Sequence, residues 1–146
     1  MIAQAYKRTK TSDPHVLIVG FYPYPECKDA ERKQRFECHY RSLMCTYGVS
    51  LQLVDTVNQV MLGGDHPVVV IEEQREDFES TELHNFVHPK NAIYIVGNSQ
   101  YRWPSQHFKI DYRVHIKTPK PDHPLYGDQV LAMVLNDKES KNEQTR

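Results

Sequence analysis

The side chains of this chain that could do chemistry are mostly spaced wrongly for the familiar sites. No G-x-G-x-x-G follows an apolar run, and G-x-x-x-x-G-K-[ST], H-E-x-x-H and G-x-S-x-G are all absent, which removes dinucleotide, P-loop, zincin and nucleophile-elbow chemistry. His84 and His88 are four residues apart and on a helix would share a face as two metal ligands. No third ligand accompanies them and Pro89 stops a helix there, so no metal site is expected. Cys27, Cys38 and Cys45 form no C-x-x-C and are odd in number, which fits unpaired thiols in a reducing cytoplasm. Cys38 and Cys45, seven apart, fall on one helix face, where cysteine packs as a small apolar residue. Core packing is expected for both, and no particular histidine pairs with either as a nucleophile's base.

What remains suits binding. Gly97 follows an apolar run, where a glycine serves a turn or lets the backbone approach a ligand at a strand end. Tyr101-Arg102-Trp103-Pro104 offers rings that stack on bases and a guanidinium that pairs with phosphate. The same Trp103 suits, rather better, an anchor onto the core or onto a partner subunit. The net charge of −1 gives no whole-molecule attraction to nucleic acid, so any RNA contact must come from a local surface. Residues 72–82 hold Glu72, Glu73, Glu76, Asp77, Glu79 and Glu82 against Arg75, whereas residues 98–120 hold Arg102, Lys109, Arg113, Lys117 and Lys120 against Asp111. The second stretch suits a polyanion, and both suit solvated surfaces of opposite sign.

These groups need a scaffold, and 146 residues with 39% hydrophobic and 25% charged side chains make one core rather than two. We read a single domain over residues 14–137, with polar ends at 1–13 and 138–146 that fray. No segment has the apolar core of a signal peptide or the roughly 20 apolar residues of a membrane span, so a soluble, cytoplasmic protein is expected. Short β-branched runs at His15–Phe21, Val49–Val54, Pro67–Ile71, Asn91–Val96 and Tyr112–Ile116 read as buried parallel strands. Asp29 can cap a helix whose apolar positions Phe36, Tyr40, Leu43, Met44 and Tyr47 share a face, with Gly48 as its stop. A second helix is expected over about Asp77–Phe86, and a third from near Tyr126 through Val130, Leu131, Val134 and Leu135, ending before Asn136. Strand and helix alternate, which predicts an α/β fold: a mainly parallel sheet of five to six strands with helices on both faces.

The order of segments in the C-terminal half resembles the SPOUT superfamily, especially the SpoU-type RNA 2′-O-ribose methyltransferases with their C-terminal trefoil knot. In that family a strand ends in V-x-G-x-E, another ends in I-P, and S-L-N starts the last helix. Here the corresponding segments are Ile93-Tyr94-Ile95-Val96-Gly97-Asn98-Ser99, the strand ending Ile116-Lys117, and Pro124-Leu125-Tyr126. Upstream, Arg41-Ser42-Leu43-Met44-Cys45-Thr46-Tyr47-Gly48-Val49 is similar to the family's arginine-bearing helix segment, and His88-Pro89-Lys90-Asn91-Ala92-Ile93-Tyr94 to its approach to the glycine loop. The likeness covers roughly residues 15–137. Ser99 replaces the family's glutamate, Lys117 its proline, Pro124-Leu125-Tyr126 its S-L-N, and Arg35 and Glu37 the asparagine and glycine that precede its arginine.

The resemblance implies an S-adenosylmethionine-dependent methyltransferase acting on the ribose of tRNA or rRNA, not on DNA, as a homodimer without membrane attachment. It implies cofactor contacts from Val96, Gly97, Asn98, Ser99, Ile116, Lys117, Leu125 and Tyr126, largely through backbone groups that strand ends and a helix start leave free. Arg41 becomes the catalytic arginine, and Arg35, Arg102, Trp103 and Lys109 the RNA contacts. The replaced motif residues leave a second expectation open: a knotted domain without catalysis that binds RNA or protein. An unrelated flavodoxin-like nucleotide-binding domain is the third.

Overall fold

The computed structural model describes residues 4–5, 17–21, 30–54, 66–72, 79–96, 109–120 and 125–144. The elements are β1 (Gln4–Ala5), β2 (Leu17–Phe21), α1 (Ala30–Tyr47), β3 (Ser50–Val54), β4 (Val68–Glu72), β5 (Thr81–Glu82), a 3₁₀ turn at Leu83–Asn85, β6 (Ile93–Val96), β7 (Tyr112–His115) and α2 (Gly127–Gln144). The strands form one sheet in the order β1-β3-β2-β6-β4-β7-β5. All neighbours are parallel except β1, which runs antiparallel to β3. The fold is therefore α/β on a parallel sheet, and its five long strands fall where the β-branched runs predict them.

α1 and its stop follow directly from residue type. Tyr40 is wholly buried, and Leu43, Met44 and Tyr47 pack against the core beside it. Gly48 has φ 63°, and the Val49 N–H donates to the Met44 carbonyl at 3.1 Å, which is the six-residue bond of a Schellman ending. Asp29 and the side chain of Phe36 lie outside the described residues. Cys38 and Cys45 do share a face, but it is the outer one: both are exposed, which corrects the expectation of core packing. Each stands two residues, about 200°, from a core-facing position (Tyr40 and Leu43) on a helix of 3.6 residues per turn.

The core cluster joins α1 and α2 to one face of the sheet, through Leu51, Leu53, Val69, Ile71, Tyr94, Val96 and Val114 on the strands and Leu131, Val134 and Leu135 on α2. The alternate residues Gln52, Val70, Ile93, Ile95 and His115 are buried as well, so both faces of the sheet are covered. Among the described residues, both helices lie on the first face.

Two elements depart from the sequence pattern. The helix expected over Asp77–Phe86 is instead β5, hydrogen-bonded alongside β7, followed by the 3₁₀ turn; Asp77 and Phe78 are outside the described residues. The apolar spacing that suggested a helix is met by Leu83 and Phe86, three apart and both buried, while the open edge of β7 takes Thr81 and Glu82 as a strand. The last helix does not stop at Leu135 but continues through residues 138–144, the expected polar tail. Its polar residues have partners: the Lys141 ammonium donates to the Leu83 and Phe86 carbonyls, each at 2.7 Å, and Lys138 is only 5% exposed. No helix among the described residues is long and apolar enough to cross a membrane.

Replacing Gly48 by alanine puts a Cβ into left-handed backbone, which costs about 1–2 kcal/mol. Gly48→Ala should lower the urea midpoint accordingly with the slope of the transition unchanged, whereas Ser42→Ala, on the exposed face of the same helix, should leave it within error.

Candidate functional site

The register of the sheet builds a rim. Val96 is level with Gly20 on β2 and Ile71 on β4, and Glu72 is level with His115 on β7. The parallel strands thus end together, and the chain leaves β6 at Val96 and β7 at His115 on the same edge. β4 alone lies between them, which separates the two exits by about 10 Å at the usual strand spacing. α2 runs against the strands: its residue 137 reaches His88, which leads into the start of β6 and contacts Tyr94. Gly127, ten residues earlier, is therefore carried about 15 Å back toward the rim.

The start of α2 is held by a capping contact, because the Tyr126 N–H donates to Gln129 Oε1 at 2.9 Å and the Tyr126 carbonyl accepts from Val130 at 3.0 Å. This is the reach-back half of a capping box. It leaves the Tyr126 ring 63% exposed, and Leu125 is half-buried beside it. Asp128, in the first turn, suits the positive end of the helix dipole. Its carboxylate accepts from His39 Nδ1 at 3.0 Å, which ties the middle of α1 to the start of α2. Arg35 stands one turn before His39 on the same side of α1 and is exposed. Burial, reinforced by the charge of Asp128, pushes the phenol of Tyr40 well above its usual value.

The expected site residues fall into three groups. Val96, Ile116, Leu125 and Tyr126 end or begin the elements that meet at the rim, with exposed Lys117 following Ile116 and Lys120 close behind. Arg41 lies about 200° round α1 from His39 and is ion-paired with Glu37 one turn earlier, through Nε at 3.0 Å and through Nη2. Lys109 is exposed at the entry of β7, the end away from Ile116, and pairs with Asp111 at 3.2 Å. Cys27, Gly97, Asn98, Ser99, Arg102, Trp103 and Pro124 lie outside the described residues. Arg113, counted among the basic residues of its stretch, is ion-paired with Glu72 on the next strand.

Three contacts were not read from the sequence. One is the His39–Asp128 pair, whose members are 89 positions apart. A second is Ser80 Oγ with His115 Nδ1 at 2.7 Å. The third surrounds His88, whose Nδ1 meets the Tyr94 hydroxyl and whose Nε2 meets Asp137, both at 2.7 Å. Its ring stands edge-on to Phe86 with centroids 5.1 Å apart. His84 is exposed, whereas the His88 side chain is only 3% exposed, so the two histidines do not share a helix face as metal ligands would. Among the described residues no cluster of histidine, cysteine or carboxylate side chains could hold a metal. Comparison with protein-family models, curated proteins and solved structures finds no match.

The His88 site makes a pH prediction. Burial holds the imidazole below its ordinary value; Asp137 pulls it back up and Lys141 and Lys138 add to the lowering. The unfolded chain, titrating near 6.5, then binds a proton that the folded chain resists. The stability His88 contributes is complete above that value and is lost as pH falls from it toward the lower folded value. Urea midpoints should decline between about pH 7 and pH 5, and His88→Gln should flatten this part of the profile.

Proposed function

We propose that this chain is a SPOUT-type domain, knotted at its C-terminal end, that binds S-adenosylmethionine and methylates a ribose 2′-hydroxyl of tRNA or rRNA as a cytoplasmic homodimer. The observation that carries this reading is the strand order. Numbered along the chain, the five long parallel strands lie in the order 2-1-4-3-5. A flavodoxin-like sheet has 2-1-3-4-5. Here the fourth strand, β6, is inserted between the first and third, the fifth crosses back past the third, and α2 returns to pack against β2 and β6. This order supports a knotted reading, because it puts the ends of β6 and β7, two of the segments on which the sequence resemblance rests, one strand apart.

The residues at the rim fit the cofactor chemically. Pairing of β6 and β7 ends at Val96 and His115, so the backbone beyond them, including Ile116 and Lys117, can hydrogen-bond an adenine edge or an amino-acid moiety. Tyr126 supplies an exposed aromatic face for the adenine ring, and Leu125 an apolar neighbour. Gly97, Asn98 and Ser99 complete the proposed set from the β6 side. The donor's methyl group, carried on a sulfonium, is what the cofactor supplies. The protein's part is to hold it and to bring the hydroxyl in line, while Arg35, Arg102, Trp103 and Lys109 are the proposed RNA contacts.

One observation favours a second reading. The guanidinium of Arg41 is engaged by Glu37, which fits a domain that keeps the cofactor site but has lost the family's arginine chemistry and serves as an RNA- or protein-binding module. Transfer of a labelled methyl group to any RNA in a total cellular pool would dispose of it.

Calorimetric titration with S-adenosylmethionine and with S-adenosylhomocysteine should give one site per chain. Tyr126→Ala removes a stacking face worth about 1–3 kcal/mol and should weaken both affinities roughly tenfold, with the folded state intact because the ring is exposed. Absence of heat with either ligand would overturn the cofactor reading.

A further inference from the structure

Arg41 is held by Glu37, and a different side chain of α1 meets the start of α2 in a geometry suited to proton transfer. His39 is 64% exposed, and its Nδ1 lies 3.0 Å from Asp128 Oδ2, whose side chain is 17% exposed. A carboxylate only accepts, so the neutral ring must donate Nδ1–H to it, which leaves the lone pair on Nε2. An imidazole so oriented is a general base, and the carboxylate behind it stabilises the imidazolium once formed. Asp128 is two residues past Tyr126, the proposed adenine wall, and Arg35, one turn back on α1, adds an exposed cation on the same side.

We propose that His39 is the catalytic base of the methyl transfer, with Asp128 as its positioning residue and Arg35 as the contact for the adjacent phosphate. The inference rests on the methyltransferase reading and names the group that reading lacks. As the ribose oxygen bonds to the methyl carbon, the carbon–sulfur bond breaks with its electron pair going to sulfur. The hydroxyl proton passes to His39 Nε2. The products are the methyl ether, neutral S-adenosylhomocysteine and an imidazolium paired with Asp128, so the positive charge that leaves the sulfonium appears on the histidine. The charged groups beside His39 are Asp128 from α2 and Arg35, one turn back on α1.

The test uses the full chain, methyl-tritiated S-adenosylmethionine and total cellular RNA. His39→Asn should leave cofactor Kd unchanged and lower kcat by about a hundredfold or more, the usual contribution of a general base. His39→Ala should regain activity when imidazole is added. Asp128→Asn should lower kcat with KM unchanged. Independently of activity, ¹⁵N spectra of the histidine rings at alkaline pH should give the Nδ1–H tautomer for His39, and Asp128→Asn should shift it toward Nε2–H. If the unaltered chain binds cofactor and methylates RNA while His39→Asn stays within twofold, or if the Nε2–H tautomer predominates, the proposal falls and the methyltransferase reading stands. If the unaltered chain binds no cofactor and transfers no methyl group, both fall.

Discussion

β6 is four residues long and hydrogen-bonds a parallel neighbour on each side, β2 along Leu17–Gly20 and β4 along Val68–Ile71. All four of its side chains are buried. Parallel strands cannot be joined by tight turns, so each pairing requires a long crossover, and a strand placed inside the sheet requires that the chain pass over elements already formed. The entry to β6 is fixed by Asn91 in left-handed backbone, φ 58°, which asparagine tolerates better than most residues. A further bond from the Ile93 N–H to the Pro67 carbonyl at 2.8 Å aligns β6 with β4 at the first residue. From the end of β6 the chain can reach β7 only by recrossing β4, and α2 must then return over β6 and β2.

That return is secured at the far end of α2 by polar contacts. Two backbone carbonyls, those of Leu83 and Phe86, converge on the Lys141 ammonium. Asp137 meets both Lys141 and His88, at 2.8 and 2.7 Å, and His88 passes the contact on to Tyr94 in the heart of β6. Hydrogen bonds to charged groups are stronger than neutral ones, and His88 is only 3% exposed, so these bonds work where water competes little. Because the helix is a rigid rod, fixing residues 137–141 also fixes where residues 125–128 stand. The latch thereby helps to position the start of α2, and with it the Tyr126 ring and the carboxylate that meets His39.

The strands were legible because β-branched runs such as Val68–Ile71 have one use in a chain this size, and α1 was legible because its apolar stripe and Gly48 agree. The second half of α2 was not: Asp137, Lys138 and Lys141 look solvated until the carbonyls and the histidine they meet are in place. The stretch around Leu83 misled because a three-residue apolar spacing suits a 3₁₀ turn as well as a helix, and the edge of β7 decided between them. Cys38 and Cys45 show that a shared face does not say which way the face points. Segment order did locate Val96 and Ile116 at strand ends and Tyr126 at a helix start, since strand ends and helix starts are local features. The pairing of His39 with Asp128 depends on two helices meeting, which no local pattern carries.

The rim and the latch are thus joined through one helix, and the proposed use of the rim requires that the cofactor bind there. The most direct measurement is backbone amide NMR of the ¹⁵N-labelled chain during titration with S-adenosylhomocysteine. Binding at the rim should concentrate shift changes at Val96, Ile116, Lys117 and Leu125 to Asp128, with Leu83 to His88 and Asp137 to Lys141 nearly still. Changes centred on the His88 end, or spread evenly over the outer faces of α1 and α2, would contradict it.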